Sequence, residues 1–258
     1  MVVDYIKRKE NILPIGFGII FSLIYYKLPL DYFVVLLLGF IALISIFYDI
    51  RIGVIIGVII LPFADYVWSL IYMVFVVGVY FYKVFFKGVK PLKKEPMDFP
   101  IILFAILILI STITSVDPYG SFRDLAFHFT AIGFVFVLVN TINTKKDFNT
   151  LITFLVITAT LVGILGLLQY RDGVKIEGGW VDVINNPGVN IRIYSALGNP
   201  NILAEYLVMI IPISIALFWY SKRIHKKILF FITTSILLLS LVLTLSRGGW
   251  LGLAFGLF

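Results

Sequence analysis

Nine apolar runs follow one another along the chain, each bounded by a short polar or charged segment. They cover residues 12–26, 30–48, 52–64, 67–82, 99–115, 125–141, 148–168, 202–220 and 228–245, and a tenth begins at Trp250. A helix that crosses the hydrocarbon layer needs about 20 mostly apolar residues, with a working range of roughly 17–25. The first and third runs are short, and the third is expected to be re-entrant or to pair, tilted, with the fourth. The pattern predicts an all-α, polytopic integral membrane protein with nine to ten transmembrane helices, forming a single membrane domain over residues 1–258. Lys7, Arg8 and Lys9 precede the first run, but no small-residue cleavage site follows it, so the N-terminus is expected to be retained rather than removed as a signal peptide.

Composition closes off the other classes. Apolar residues make up 61% of the 258, charged residues 14%, and the mean hydropathy is +1.06. Soluble domains lie near 45–50% and about 25% respectively, so a soluble globular protein is excluded, and low hydrophobicity, the signature of disorder, is absent. The net charge of +7 does not point to nucleic acid, because the cations fall in short clusters between apolar runs. With the N-terminus inside, 15 of the 21 lysines and arginines fall in cytoplasmic segments, and spans alternate without a forced skip. The positive-inside rule therefore sets the N-terminus in the cytoplasm of a cell (inner or plasma) membrane, with membrane lipids as obligate partners. There is no cysteine and only His128 and His225, so neither a disulfide framework nor a metal centre is expected.

Chemistry is expected on the outer face. The inner loops are short and lysine-rich, as topology and anionic headgroups require. Two outer segments are different: residues 116–124, and the thirty or so residues of 170–200, rich in glycine, asparagine and charge. Asn199-Pro200-Asn201 opens the span at 202–220 in the manner of a helix start: asparagine accepts from the free N–H groups of the first turn, and proline costs nothing where no intrahelical donor is needed. Such an N-terminus facing a cavity also attracts anions. Glu205 lies one turn further in, where an ionisable group is costly and reads as functional or as an interface carboxylate. Ser246-Arg247-Gly248-Gly249-Trp250 joins two apolar runs with almost no loop, so Arg247 is held at the boundary itself; its planar fork suits phosphate or carboxylate oxygens, and snorkelling to headgroups is the plainer alternative. Arg123, Arg171, Lys175 and Arg192 add outer cations, and with Arg247 they could line a basic pocket for a lipid-linked phosphate or diphosphate. His128 stands one turn after Asp124, as scaffold or as an acid–base group, and Gln169 ends its span as a hydrogen-bonding side chain facing the same region.

On these residues the chain resembles the O-antigen ligase and polymerase superfamily of multi-spanning glycosyltransferases. The stretches concerned are "TSVDPYGSFRDL" (114–125), "GLLQY" (166–170), "ALGNPNILAEYLVMIIP" (196–212) and "LTLSRGGWLGL" (243–253), in an order and spacing similar to that family from about residue 97 onward. The resemblance implies a transferase that takes a polyprenyl-diphosphate-linked glycan donor on the outer face and passes the glycan to a lipid, glycan or protein acceptor, without a bound metal or cofactor. It implies that Arg247 matches the arginine thought to contact the donor diphosphate. Members of the family continue into a later outer loop bearing an arginine and a histidine tied to catalysis. Part of that catalytic set is therefore expected to lie outside these 258 residues.

In this reading Arg247, with Arg192 or Arg123 and the helix start at Asn199–Asn201, stabilises charge building on the leaving diphosphate, while Glu205 or His128 takes the acceptor proton. Gln169 joins Arg123, Arg192, Asn199 and Asn201 as a substrate-binding candidate. The alternative class is a transporter or flippase for a lipid-linked or anionic solute. Transporters gather charge at broken spans near the midplane and often carry internal repeats. Here the charge gathers at the outer boundary, and no repeat is evident.

Overall fold

A computed structural model describes residues 16–18, 22, 25–27, 29–88, 95–174 and 191–257. The expectations for Lys7–Lys9, for most of the run at 12–26, for Lys90, Lys93 and Lys94, and for residues 175–190 of the outer loop fall outside them. The described elements are all helical: α1 (Leu30–Tyr48), α2 (Ile50–Ile60), a 3-10 turn (Leu61–Phe63), α3 (Tyr66–Lys87), α4 (Asp98–Ile113), α5 (Pro118–Thr141), α6 (Lys145–Asp172), a 3-10 turn (Ser195–Leu197), α7 (Pro200–Tyr220), α8 (Ile224–Leu243) and α9 (Arg247–Leu257). Every expected span among them coincides with a helix. Six are long and apolar enough to cross a membrane: α1, α3, α5, α6, α7 and α8. Ile50–Phe63 and α4 are shorter; the 16 residues of α4 rise about 24 Å, less than the roughly 30 Å of a hydrocarbon core. The chain is thus a helical membrane protein by length and composition.

Packing groups the chain into two units, 1–53 and 54–258. In the first, α1 is apolar around its whole circumference, and Asp49 after it grips the Arg51 guanidinium at 2.7 Å. In the second, α6, α7 and α8 enclose a core of Val156, Ala159, Val162, Leu203, Leu207, Ile210, Ile211, Leu237 and Leu241. Small polar residues share this apolar core, and large apolar ones cover the outside. Thr158, Ser214 and Ser240 are fully buried, while Phe99, Trp219, Phe231 and Phe255 stand outward. Lipid removes the hydrophobic drive for helices to associate, so close packing and inter-helix hydrogen bonds hold them instead. Ser240 donates to the Gly163 carbonyl at 3.1 Å, and the Ser214 and Thr234 hydroxyls meet at 2.8 Å. Gly163 allows that approach: a Cβ there would lie 3.1 Å from Ile236 and 3.2 Å from the Ser240 hydroxyl. Alongside, α3 runs parallel to α5, with Tyr66 stacked on Phe127 toward the start of both and Tyr80 edge-on to Phe136 toward their ends.

Within residues 54–258 the helix directions sort the charges. One end carries Lys83 and Lys87 at the close of α3, Lys145 and Lys146 at the start of α6, and Lys222, Arg223, Lys226 and Lys227 around the α7–α8 turn. The opposite end carries Arg123, Arg171, Arg192 and Arg247, and there every cation among the described residues is an arginine. The two 3-10 turns, Leu61–Phe63 and Ser195–Leu197, pack together at this arginine end and so join the α3–α5 pair to the α6–α8 core.

Candidate functional site

The arginine end is built around residues 191–199, the described part of the expected outer loop together with the α6 terminus. Gln169, in the last turn of α6, accepts from the Ser195 N–H at 2.7 Å and the Tyr194 N–H at 3.2 Å through Oε1, and donates to the Ser195 carbonyl at 3.0 Å through Nε2. The Ser195 hydroxyl donates to the Val162 carbonyl at 2.6 Å. These bonds hold Ser195 at φ +53°, a left-handed conformation that costs a non-glycine residue roughly 1–2 kcal/mol. Gly166 makes room for the segment: a Cβ there would sit 2.9 Å from the Ile193 side chain.

Arg192 is 8% exposed. Its Nε donates to the Thr244 carbonyl at 2.8 Å and its Nη2 to Asn201 Oδ1 at 3.1 Å, while the neighbouring Ile193 N–H reaches the Leu243 carbonyl at 3.3 Å. Burial lowers the Arg192 pKa from its ordinary value. One side chain thereby ties the loop to the start of α7 and to the end of α8. The helix start follows the sequence expectation: Pro200 is the first helical residue, and Asn199 caps α7 by accepting from the Asn201 N–H at 2.8 Å.

The turn from α8 to α9 is equally fixed. The Thr244 hydroxyl bonds back to the Leu241 carbonyl and also accepts from the Ser246 N–H; Leu245 sits at φ +53°; the Ser246 hydroxyl accepts from the Gly249 N–H at 3.4 Å; and the Trp250 indole donates to the Leu241 carbonyl at 3.2 Å. Gly249 lies against α7, where a Cβ would come within 2.8 Å of Ala204. Ala204 and Gly249 therefore bring the turn that bears Glu205 beside the turn that bears Arg247. Both charged side chains are exposed, and neither makes a hydrogen bond or ion pair among the described residues.

The expected site residues separate by role. Gln169, Arg192, Asn199 and Asn201 come together, with their polar atoms engaged in holding backbone and one another. Arg123 stands on the α3–α5 pair, its guanidinium 4.4 Å from the centre of the Tyr66 ring, and its carbonyl accepts from the Tyr66 hydroxyl at 2.7 Å. His128, one turn along, donates from Nδ1 to the Asp124 carbonyl at 2.7 Å, which leaves Nε2 as its proton acceptor, and its ring neighbours are Phe104 and Phe127. Arg171 pairs with adjacent Asp172 at 2.8 Å in the open. Among the four arginines of this end, Arg247 is the one with no side-chain hydrogen bond, ion pair or ring contact among the described residues. Sequence reasoning missed Ser195 and Thr244, whose parts in the site are a strained backbone and a carbonyl; the non-glycine turn residues beside Leu197-Gly198 and Ser246-Arg247 were the available signal. Among the described residues no group of histidines, aspartates and glutamates is placed to hold a metal. Comparison of the chain with protein-family models, with curated proteins and with solved structures yields no match.

Proposed function

We propose that this protein is a membrane transferase that moves a polyprenyl-diphosphate-linked glycan to an acceptor hydroxyl, with its arginine end on the outer face of the cell membrane. The observation that carries the reading is Arg247: an exposed, unpaired guanidinium at the first residue of a helix, on a turn braced from three sides by Arg192, Trp250 and the Gly249–Ala204 contact. A donor fork held on rigid backbone is what a departing diphosphate requires. As the glycosyl–oxygen bond breaks, negative charge grows on the leaving group, and a cation already in place stabilises it without reorganisation. Arg192 acts here by positioning, because its guanidinium is occupied. Glu205, next to Ala204 at the α7–α9 contact, is one candidate to take the acceptor proton, and His128 offers Nε2 from the α5 side.

The charge distribution supports the orientation: among the described residues of 54–258, eight lysines and arginines gather at one end and four, all arginine, at the other, and the positive-inside rule puts the richer end in the cytoplasm. Deletion of the gene followed by analysis of surface glycans tests the reading. Loss of all attached polymer is the ligase outcome, and polymer shortened but still attached is the polymerase outcome. Loss of polymer with the lipid-linked intermediate stranded on the inner leaflet, not accumulating on the outer one, would replace transfer by flipping, and intact surface glycan would overturn both readings.

A further inference from the structure

We propose that the lysine end carries a specific site for the phosphate of an anionic phospholipid, in a cleft around the first three turns of α6. Two adjoining shallow grooves, open to the surroundings, flank Asn149, which lines both. The first is bounded by Lys145, Phe148 and, from the end of α7, Tyr220; the second runs from Lys146 down α6 to Phe154. The two lysines thus stand at the start of α6, and Phe148 and then Phe154 follow along it, Phe154 a rise of about 12 Å beyond residue 146. That order, phosphate-binding groups and then apolar wall, is the order of a phospholipid from headgroup to acyl chain.

Three further observations favour a lipid. Tyr220 and neighbouring Trp219 are 85% and 78% exposed, as aromatic residues at headgroup depth are. Lys145 and Lys146 make no ion pair among the described residues. The carboxylate nearest them in sequence, Asp147, is committed to Thr144: the Thr144 hydroxyl accepts from the Asp147 N–H at 3.1 Å and donates to Asp147 Oδ2 at 2.8 Å in a reciprocal cap. Basic clefts between helices on the cytoplasmic side are recurrent sites for anionic headgroups. This inference rests on membrane embedding and is independent of any transfer activity.

The test uses the full chain in nanodiscs of phosphatidylcholine doped with phosphatidylglycerol, with retained lipid read by native mass spectrometry. Lys145→Gln/Lys146→Gln is compared with Lys222→Gln/Lys226→Gln, which removes the same charge from the same end outside the cleft; glutamine keeps helix propensity at the three helical positions. The cleft predicts a tenfold or greater loss of phosphatidylglycerol affinity in the first variant and less than twofold in the second. Soluble glycerol phosphate, lacking acyl chains, should not compete at millimolar concentration. Equal loss in both variants would reduce the site to diffuse surface charge and overturn the proposal, as would unchanged retention or full displacement by glycerol phosphate.

Discussion

Replacing Gln169 with leucine should loosen the whole 193–199 segment, because three hydrogen bonds at 2.7, 3.0 and 3.2 Å disappear from a place where water cannot fully replace them. At about 1 kcal/mol each their loss amounts to about 3 kcal/mol, and relaxation of Ser195 from its left-handed conformation returns about 1 kcal/mol. The net of about 2 kcal/mol corresponds to a roughly thirty-fold rise in the population of the open segment. Hydrogen exchange measures this, provided the right amides are watched. Tyr194 and Ser195 lose their own acceptor and would exchange faster in any case. Ile193 and Leu197 donate to the carbonyls of Leu243 and Tyr194, bonds that the substitution does not touch. Faster exchange at these two amides shows that Gln169 holds the segment; unchanged protection there would refute the reasoning and reduce Gln169 to a local partner. Gln169→Glu keeps both acceptor contacts but sets a carboxylate against the Ser195 carbonyl. It should fall between the two, with protection recovering as falling pH protonates the carboxylate and restores a donor.

The cysteine-free chain allows topology to be read directly: Arg171→Cys should react with an impermeant maleimide in intact cells, and Lys222→Cys only after permeabilisation, with the reverse result inverting the orientation. Gly249→Ala should destabilise the α7–α9 contact by about 1–3 kcal/mol in micellar unfolding, since its Cβ would come within 2.8 Å of Ala204, whereas Gly248→Ala, with nothing within 4 Å, should be neutral or slightly stabilising. Arg192→Met should cost more than any substitution at Arg123 or Arg171, because it leaves the buried Thr244 carbonyl and Asn201 without their charged donor; equal unfolding free energies for these variants would show that the buried bonds contribute little.

The helices were legible because a long apolar run is a property of composition, which no distant contact can reverse, though only six of the described ones are long enough to cross a membrane; the α7 start was legible because Asn199 and Pro200 act on their own helix turn. The wiring of the arginine end was not. Arg192 and Thr244 are 52 residues apart, and Gln169 and Ser195 are 26 apart, so nothing local distinguishes a buried, committed Arg192 from an exposed, open Arg247. Sequence spacing placed four arginines on one face of the membrane. The structure shows that three of them are engaged: Arg171 with its neighbour Asp172, Arg123 with the Tyr66 ring across the α3–α5 pair, and Arg192 with the Thr244 carbonyl. Trp250 reads in sequence as the start of a tenth apolar run, yet its indole pins the α8–α9 turn.

The most direct test is glycan transfer in cells expressing Arg247→Ala or Arg247→Lys, in the complete protein, with membrane abundance measured beside it. Losing a fixed donor to a developing anion typically costs a hundred- to a thousand-fold in rate, and lysine keeps the charge without the planar fork. The prediction is transfer abolished by alanine, recovered only in small part by lysine, and abundance near that of the parent for both. Near-normal transfer with alanine, or full recovery with lysine, would mean that Arg247 serves only to meet the headgroups, and would contradict its role at the donor diphosphate.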